Sequence, residues 1–197
     1  MAPVIHSATK YLGGHGDLIA GVIAGPAEIV KQVRLKGIRY LTGAALAPLS
    51  AFLILRGLKT LELRMAQHSR TGLAVAEMLS AHPAVATVHY PGLADFPQVH
   101  IVRRQMSAGS GLVAFELKGG LLQGRSFINA LRLARCAVSL GDAETLVEHP
   151  ASMTHSAYSA EERAEHGISD GLIRISVGLE NTEDILEDLA GALEEAG

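Results

Sequence analysis

The chain holds a single cysteine, Cys136, so an internal disulfide is excluded and the fold must rest on a packed core. Cys136 adjoins the apolar pair Ala137-Val138 and is expected to pack rather than to react, because free cysteine is among the most buried residue types. Charge is also scarce. Charged residues make up 19% of the chain against a typical ~25%. The net charge of −3 and a pI near 6.3 give no electrostatic case for nucleic acid. No apolar run reaches the length of a spanning helix; the richest stretch, Ala44 to Leu55, is broken by Pro48 and Ser50 and ends at Arg56. A membrane span is therefore not expected. The nine histidines include no His-x-x-x-His pair, and with no cysteine cluster a metal site lacks its usual ligands. Met1-Ala2-Pro3 shows neither a basic region nor an apolar one behind it, so no secretory signal is expected and the reading is cytoplasmic.

What the chain does have is apolar residues, 48% of it, with a mean hydropathy of +0.25. That excess implies a large buried core plus a sizeable interface. Strand-like and helix-like stretches alternate. Pro3 to His6 reads as a strand, Leu18 to Ala24 as a second, and a helix starts at Pro26 and is expected to end at Gly37. Ile38 to Pro48 reads as a loop, in which Leu41-Thr42-Gly43 either lines a site or merely connects. A long helical pattern runs from Ser50 to about Ala81, with bends expected at Gly57 and Gly72. Then come a strand from Val85 to Tyr90, a helix from Gln98 to Met106, a strand from Leu112 to Leu117 and a helix from Gly124 to Arg135. Ala137 to Leu140 reads as a short strand, 141–171 as a polar loop with one helical turn, Leu172 to Val177 as a strand, and the last helix starts near Asn181 or Thr182. Such interleaving predicts an α/β fold with helices on one face of a sheet.

Two constellations carry chemistry. In the first, Ser7-Ala8-Thr9-Lys10-Tyr11 leads into Gly13-Gly14-His15-Gly16-Asp17 directly after the first strand. A lysine flanked by hydroxyls at a strand end suits an aldehyde cofactor that carries a phosphate, the amine condensing with the aldehyde and the hydroxyls donating to phosphate oxygens. The alternative is a solvated surface lysine. The apolar neighbours Val4-Ile5, Leu12 and Leu18-Ile19 set Lys10 apart from that alternative. In the second constellation Arg174 lies inside a strand. Alternation puts Leu172, Arg174 and Ser176 on one face and Ile173, Ile175 and Val177 on the other. Arg174 is then either a surface residue or one aimed at a cleft, where a guanidinium holds a carboxylate through two parallel hydrogen bonds.

The stretch His6 to Asp17 resembles the lysine signature of the Cys/Met-metabolism family of pyridoxal-phosphate enzymes. The stretches Ala137 to Leu146, His149 to Ser156 and Gly167 to Glu180 resemble the same family. The resemblance implies that Lys10 is catalytic and binds pyridoxal 5'-phosphate covalently, that Ser7 and Thr9 hold its phosphate, that Ser139 and Arg174 grip the substrate carboxylate, and that Thr154 orients Arg174. It implies the C-terminal half of a fold type I subunit, aspartate-aminotransferase-like: residues 1–57 a remnant of the cofactor-binding large domain, a long linking helix, and residues 58–197 a small α/β C-terminal domain. The implied activity is that of a carbon–sulfur lyase of sulfur amino-acid metabolism, acting on methionine by γ-elimination, in a homo-oligomer that is tetrameric in the family. Relatives that process cystathionine commonly carry a glutamate at the position of Val138. A valine there cannot bind an ammonium group and suits a thioether tail. The alternatives are another transsulfuration enzyme, or a non-catalytic fragment that only folds or associates. Family cofactor contacts that lie upstream of the lysine are missing, so the chain is expected to be truncated.

Overall fold

The computed structural model describes residues 2–197, which fall into two compact units, Met1–Glu62 and Leu63–Gly197. The first unit opens with β1 (Val4–Ser7) and, after an irregular turn, β2 (Gly21–Ala24), then α1 (Ala27–Gln32). The helix does not end at Gly37. It runs on as a wider, π-type coil over Val33–Thr42 and stops at Gly43. The reason is local: Gly43 takes the left-handed conformation (φ 62°) and its N–H donates to Ile38 O, the arrangement glycine tolerates best. The loop expected from Ile38 is therefore mostly helical. α2 (Pro48–Leu58) follows, with proline at its start.

β1 and β2 pair antiparallel, Val4 opposite Ala24 and Ser7 opposite Gly21. The apolar run before β2 suggests a parallel sheet buried on both faces, yet Ile5 is 77% and Ile19 89% exposed. Ala8, Leu18 and Ile54 form the buried centre of this unit, with Leu12, Ala20, Val22 and Leu53 packed around them.

The helix running on from α2 is interrupted at Lys59-Thr60 rather than at Gly57 or Gly72, and α3 then spans Leu61–Ala81 without a break. The second unit continues with β3 (Val85–His89), α4 (Val99–Gln105), β4 (Leu112–Leu117), α5 (Leu121–Ala130), β5 (Arg135–Cys136), β6 (Leu146–Glu148), α6 (Ala160–Glu165), β7 (Leu172–Ser176) and α7 (Thr182–Ala196). Five strands form one sheet in the order β3-β4-β7-β6-β5, antiparallel except for the β5–β6 pair. Alternation sets its inner face: Val113, Phe115, Leu117, Ile173 and Ile175 are buried. Against them pack Val75, Ala76 and Leu79 of α3, Phe127 of α5, and Ile185, Leu189 and Leu193 of α7. Asn181 caps α7, its side-chain oxygen accepting from Glu183 N at 2.8 Å.

Four expectations fail here. Residues 146–148, read as polar loop, form a fully buried strand, and the short strand expected at 137–140 lies instead at Arg135–Cys136. Cys136 is exposed, because β5 is a two-residue edge strand with both side chains out. The buried face of α3 is also less apolar than its leucines suggest: it contains Arg64, His68 and Thr71, whereas Leu63 and Leu73 are exposed. Those polar groups are engaged. Thr71 Oγ1 lies 2.9 Å from Thr182 Oγ1, and His68 Nδ1 donates to Val177 O at 2.8 Å.

Burial lowers the His68 pKa from its ordinary 6.5, with the nearby Arg64 charge adding to the effect against the opposing Val177 bond. The unfolded chain then takes up a proton that the fold resists. The contribution of His68 is complete above about pH 6.5 and falls away as pH drops, by up to about 1.4 kcal/mol per pH unit for one proton. Thermal unfolding at several pH values is expected to show that slope in the wild-type chain and a shallower one in His68→Asn. Equal slopes would mean that His68 does not carry the acid sensitivity.

Candidate active site

The two sequence constellations fall in different units. Ser7 ends β1 and is exposed, and its hydroxyl does not cap the turn that follows. Ala8 is buried in the first unit's core and fixes the turn. Its N–H donates to Ala20 O at 2.8 Å. Thr9 Oγ1 accepts from Ala20 N at 3.0 Å and meets Ala20 O only at 3.4 Å, beyond the usual range for a hydroxyl donor, so its hydrogen is loosely held. At Lys10 the backbone leaves helical geometry (φ −93°, ψ −136°), and the Lys10 carbonyl accepts from Gly14 N at 2.8 Å. Lys10 is half-buried. Of the apolar residues expected around it, Leu18 is buried and Leu12 half-buried, while Val4, Ile5 and Ile19 face outward.

Of the glycines after Lys10, Gly14 and Gly16 take the left-handed conformation that a tight turn needs (φ 74° and 64°), and Gly13 is closely packed. Gly57 of α2 lies so close that a Cβ there would sit 2.4 Å from Gly13 O and 2.7 Å from Leu12 O. Absence of side chains at this crossing lets the helix clamp the backbone just beyond Lys10. A pinned lysine with an uncommitted hydroxyl before it and a loosely held one beside it fits an aldehyde that bears a phosphate.

In the second unit, β6 and β7 place Glu148 directly opposite Arg174. Arg174 Nη2 lies 2.7 Å from Glu148 Oε2 and donates to Val138 O at 3.0 Å and Ser139 O at 2.9 Å. The expected pair Ser139 and Arg174 is thus brought together, through the Ser139 carbonyl. Thr154 donates to the other Glu148 oxygen, Oε1, so it reaches Arg174 through Glu148 and not directly. Arg174 Nε is buried without a protein acceptor. A buried donor left in that state costs about 1–3 kcal/mol, which an incoming acceptor would offset.

The segment bearing Val138 and Ser139 is tied down on both sides. Gly141 N donates to Ser176 Oγ at 2.8 Å, and Thr145 donates to Glu180 through its N–H at 2.6 Å and its hydroxyl at 2.8 Å. The turn that presents Thr154 is fixed by His149. Its Nε2 sits 2.8 Å from the Asp170 carbonyl, which can only accept, so Nε2 carries the proton and Nδ1 accepts from Ser152 Oγ at 2.8 Å. Glu148 escapes a sequence reading because its strand has three residues, too few for alternation to show. The available signal is Leu146-Val147 just before it, an apolar pair inside a polar stretch.

The lysine thus follows two hydroxyl residues in one unit, and the arginine is paired with a buried glutamate in the other. The chain belongs to the family of Cys/Met metabolism PLP-dependent enzymes, whose family model matches residues 3–194. It is 56% identical over 190 residues to an L-methionine gamma-lyase of Pseudomonas putida, and 54% identical over 191 residues to one of Porphyromonas gingivalis. These matches cover 96% and 97% of this chain but 48% of each relative, so the chain spans about half the length of the curated relatives it matches. Among solved structures, a cystathionine gamma synthase from Xanthomonas oryzae pv. oryzae in complex with cystathionine is 43% identical with a TM-score of 0.91, covering 98% of this chain and 50% of that one. A cystathionine gamma lyase from Micromonospora echinospora is 41% identical with a TM-score of 0.90 over the same shares. The expected fold, the C-terminal half of a fold type I subunit, is what these neighbours share with it.

Proposed function

We propose that this chain forms the C-terminal half of a PLP-dependent carbon–sulfur lyase that cleaves methionine to methanethiol, 2-oxobutanoate and ammonia. The observation that carries the reading is Lys10, half-buried in the turn just after β1 with its carbonyl tied to Gly14 N–H, and preceded by Ser7 and Thr9. Pyridoxal 5'-phosphate, when bound, supplies the electron sink for carbanion chemistry at the substrate α-carbon. Lys10 holds the cofactor, then its amine takes the α-proton. The Ser7 and Thr9 hydroxyls donate to the phosphate. Arg174 grips the α-carboxylate beside Ser139, supported by Thr154. The aliphatic Val138 side chain, exposed beside that grip, suits a thioether tail and offers nothing to a distal ammonium. Residues 1–57 would then belong to the cofactor-binding domain and 58–197 to the C-terminal domain. No described helix is long and apolar enough to cross a membrane, which is compatible with a cytoplasmic enzyme.

The test adds pyridoxal phosphate and then borohydride to the 197-residue chain and maps the label, and it assays thiol release from methionine in a chain joined to an N-terminal half. The label should concentrate on the Lys10 peptide and vanish in Lys10→Ala. Even spread over all lysines, or thiol release that survives Lys10→Ala in the joined chain, would sink the reading.

Association is part of the same proposal. On α2, Leu49, Phe52 and Leu55 recur every three residues and are exposed together. Such a row calls for cover, and a homo-oligomer, with four subunits as in the family, would supply it. Light scattering should find the chain larger than a monomer, and smaller in size after deletion of residues 1–57, which removes the whole row. A monodisperse monomer refutes the expectation.

A further inference from the structure

Glu148 is 2% exposed, one of few charged groups inside the sheet of the second unit. A buried carboxylate persists only where its oxygens are matched, and here each oxygen has one partner, Arg174 Nη2 on one side and the Thr154 hydroxyl on the other. The three acceptors that converge on Nη2 are not equivalent. The Val138 and Ser139 carbonyls belong to an irregular segment, and Val138 is exposed. Glu148 alone comes from a strand whose residues are all buried and which is paired in register with the strand of Arg174. A long, flexible arginine thus has one rigid neighbour that fixes its fork. Fixing Nη2 from that side leaves Nε as the buried donor still lacking an acceptor.

We propose that Glu148 is a positioning residue: it locks the Arg174 guanidinium so that Nε stays presented to the carboxylate of an amino-acid substrate, and Thr154 acts on Arg174 only by steadying Glu148. The proposal rests on the reading of Arg174 as the carboxylate grip. Hydrogen bonding, rather than charge alone, does the locking. A glutamine at 148 can still accept from Nη2 and turn its amide toward Thr154, whose hydroxyl then donates to His155 Nδ1, 3.0 Å away. An alanine can do neither.

The experiment follows the Nε–H of Arg174 by NMR relaxation and solvent exchange in the arginine-labelled 197-residue chain. In the wild type it should be ordered and slow to exchange. Glu148→Ala should loosen it and speed exchange on the order of tenfold, as expected when a charged hydrogen bond is lost. Glu148→Gln should restore both, and Thr154→Val should fall between. An Arg174 as ordered in Glu148→Ala as in the wild type overturns the proposal, and so does a glutamine variant as mobile as the alanine one. Should Glu148→Ala fail to fold, Thr154→Val decides against the wild type: looser Arg174 supports the proposal and an unchanged one overturns it. Added L-methionine shifts the wild-type Nε–H only if Arg174 takes a carboxylate, so the grip and the positioning can fail separately.

Discussion

Phe115→Ala should destabilise the second unit by about 3–5 kcal/mol, the range for deleting a large aromatic from a core that cannot close over the gap. Phe115 is fully buried near the middle of β4, the strand hydrogen-bonded on both edges, opposite Val88 of β3 and Ile173 of β7. Its ring meets Phe127 of α5 edge to face, 5.6 Å between centroids at 85°. The substitution therefore removes apolar burial and a favourable ring pair together, and leaves a void walled by sheet backbone on one side. Urea unfolding followed by circular dichroism measures the loss. Phe115→Leu, which keeps most of the volume, should cost clearly less. A cost below about 1 kcal/mol for the alanine variant, the level of an ordinary surface substitution, would show that the core is not built around this position.

Gly57→Ala reverses the ordinary rule for helices. An alanine in mid-helix is worth up to about 1 kcal/mol over glycine, so a sequence reader would expect a gain. Here the new Cβ would lie 2.4 Å from Gly13 O, and backbone oxygens cannot swing aside as a side chain would. The expected outcome is a net loss of about 1–3 kcal/mol in the first unit as α2 is pushed off the Leu12-Gly13 backbone. Amide exchange reads it directly: Gly13 N–H, bonded to Ala8 O, and Gly14 N–H, bonded to Lys10 O, should lose protection. Borohydride labelling of Lys10 should fall with them, because the same turn carries the lysine. Gly37→Ala is the control. It too is helical, but the nearest atom to its Cβ is Val33 Cγ1 at 4.0 Å, so it should be neutral or slightly stabilising. If both variants behave alike, the helix does not clamp the turn.

Much of this protein is written in local sequence. The span Leu112–Leu117 emerges at its full length because alternation and the glycines beyond it are both explicit, and α7 starts where Asn181 can cap it with acidic residues in its first turn. The chemical groups are legible for the same reason: a hydroxyl-lysine-glycine stretch and an arginine amid alternating apolar residues need no distant partner to be seen. Tertiary structure decided the rest. It made Gly57 a crossing point rather than a hinge, since only the backbone of residues 12–13 explains the missing side chain. It let Arg64, His68 and Thr71 stand on the inner face of α3, because polar burial depends on partners more than a hundred residues away, such as Val177 and Thr182. It turned β1 and β2 antiparallel, a choice of direction that an apolar run does not encode. And it set Glu148 against Arg174: three residues are too short a strand to show a period, and the pairing of two strands lying 26 positions apart (174 − 148) is fixed by the sheet, not by either segment alone.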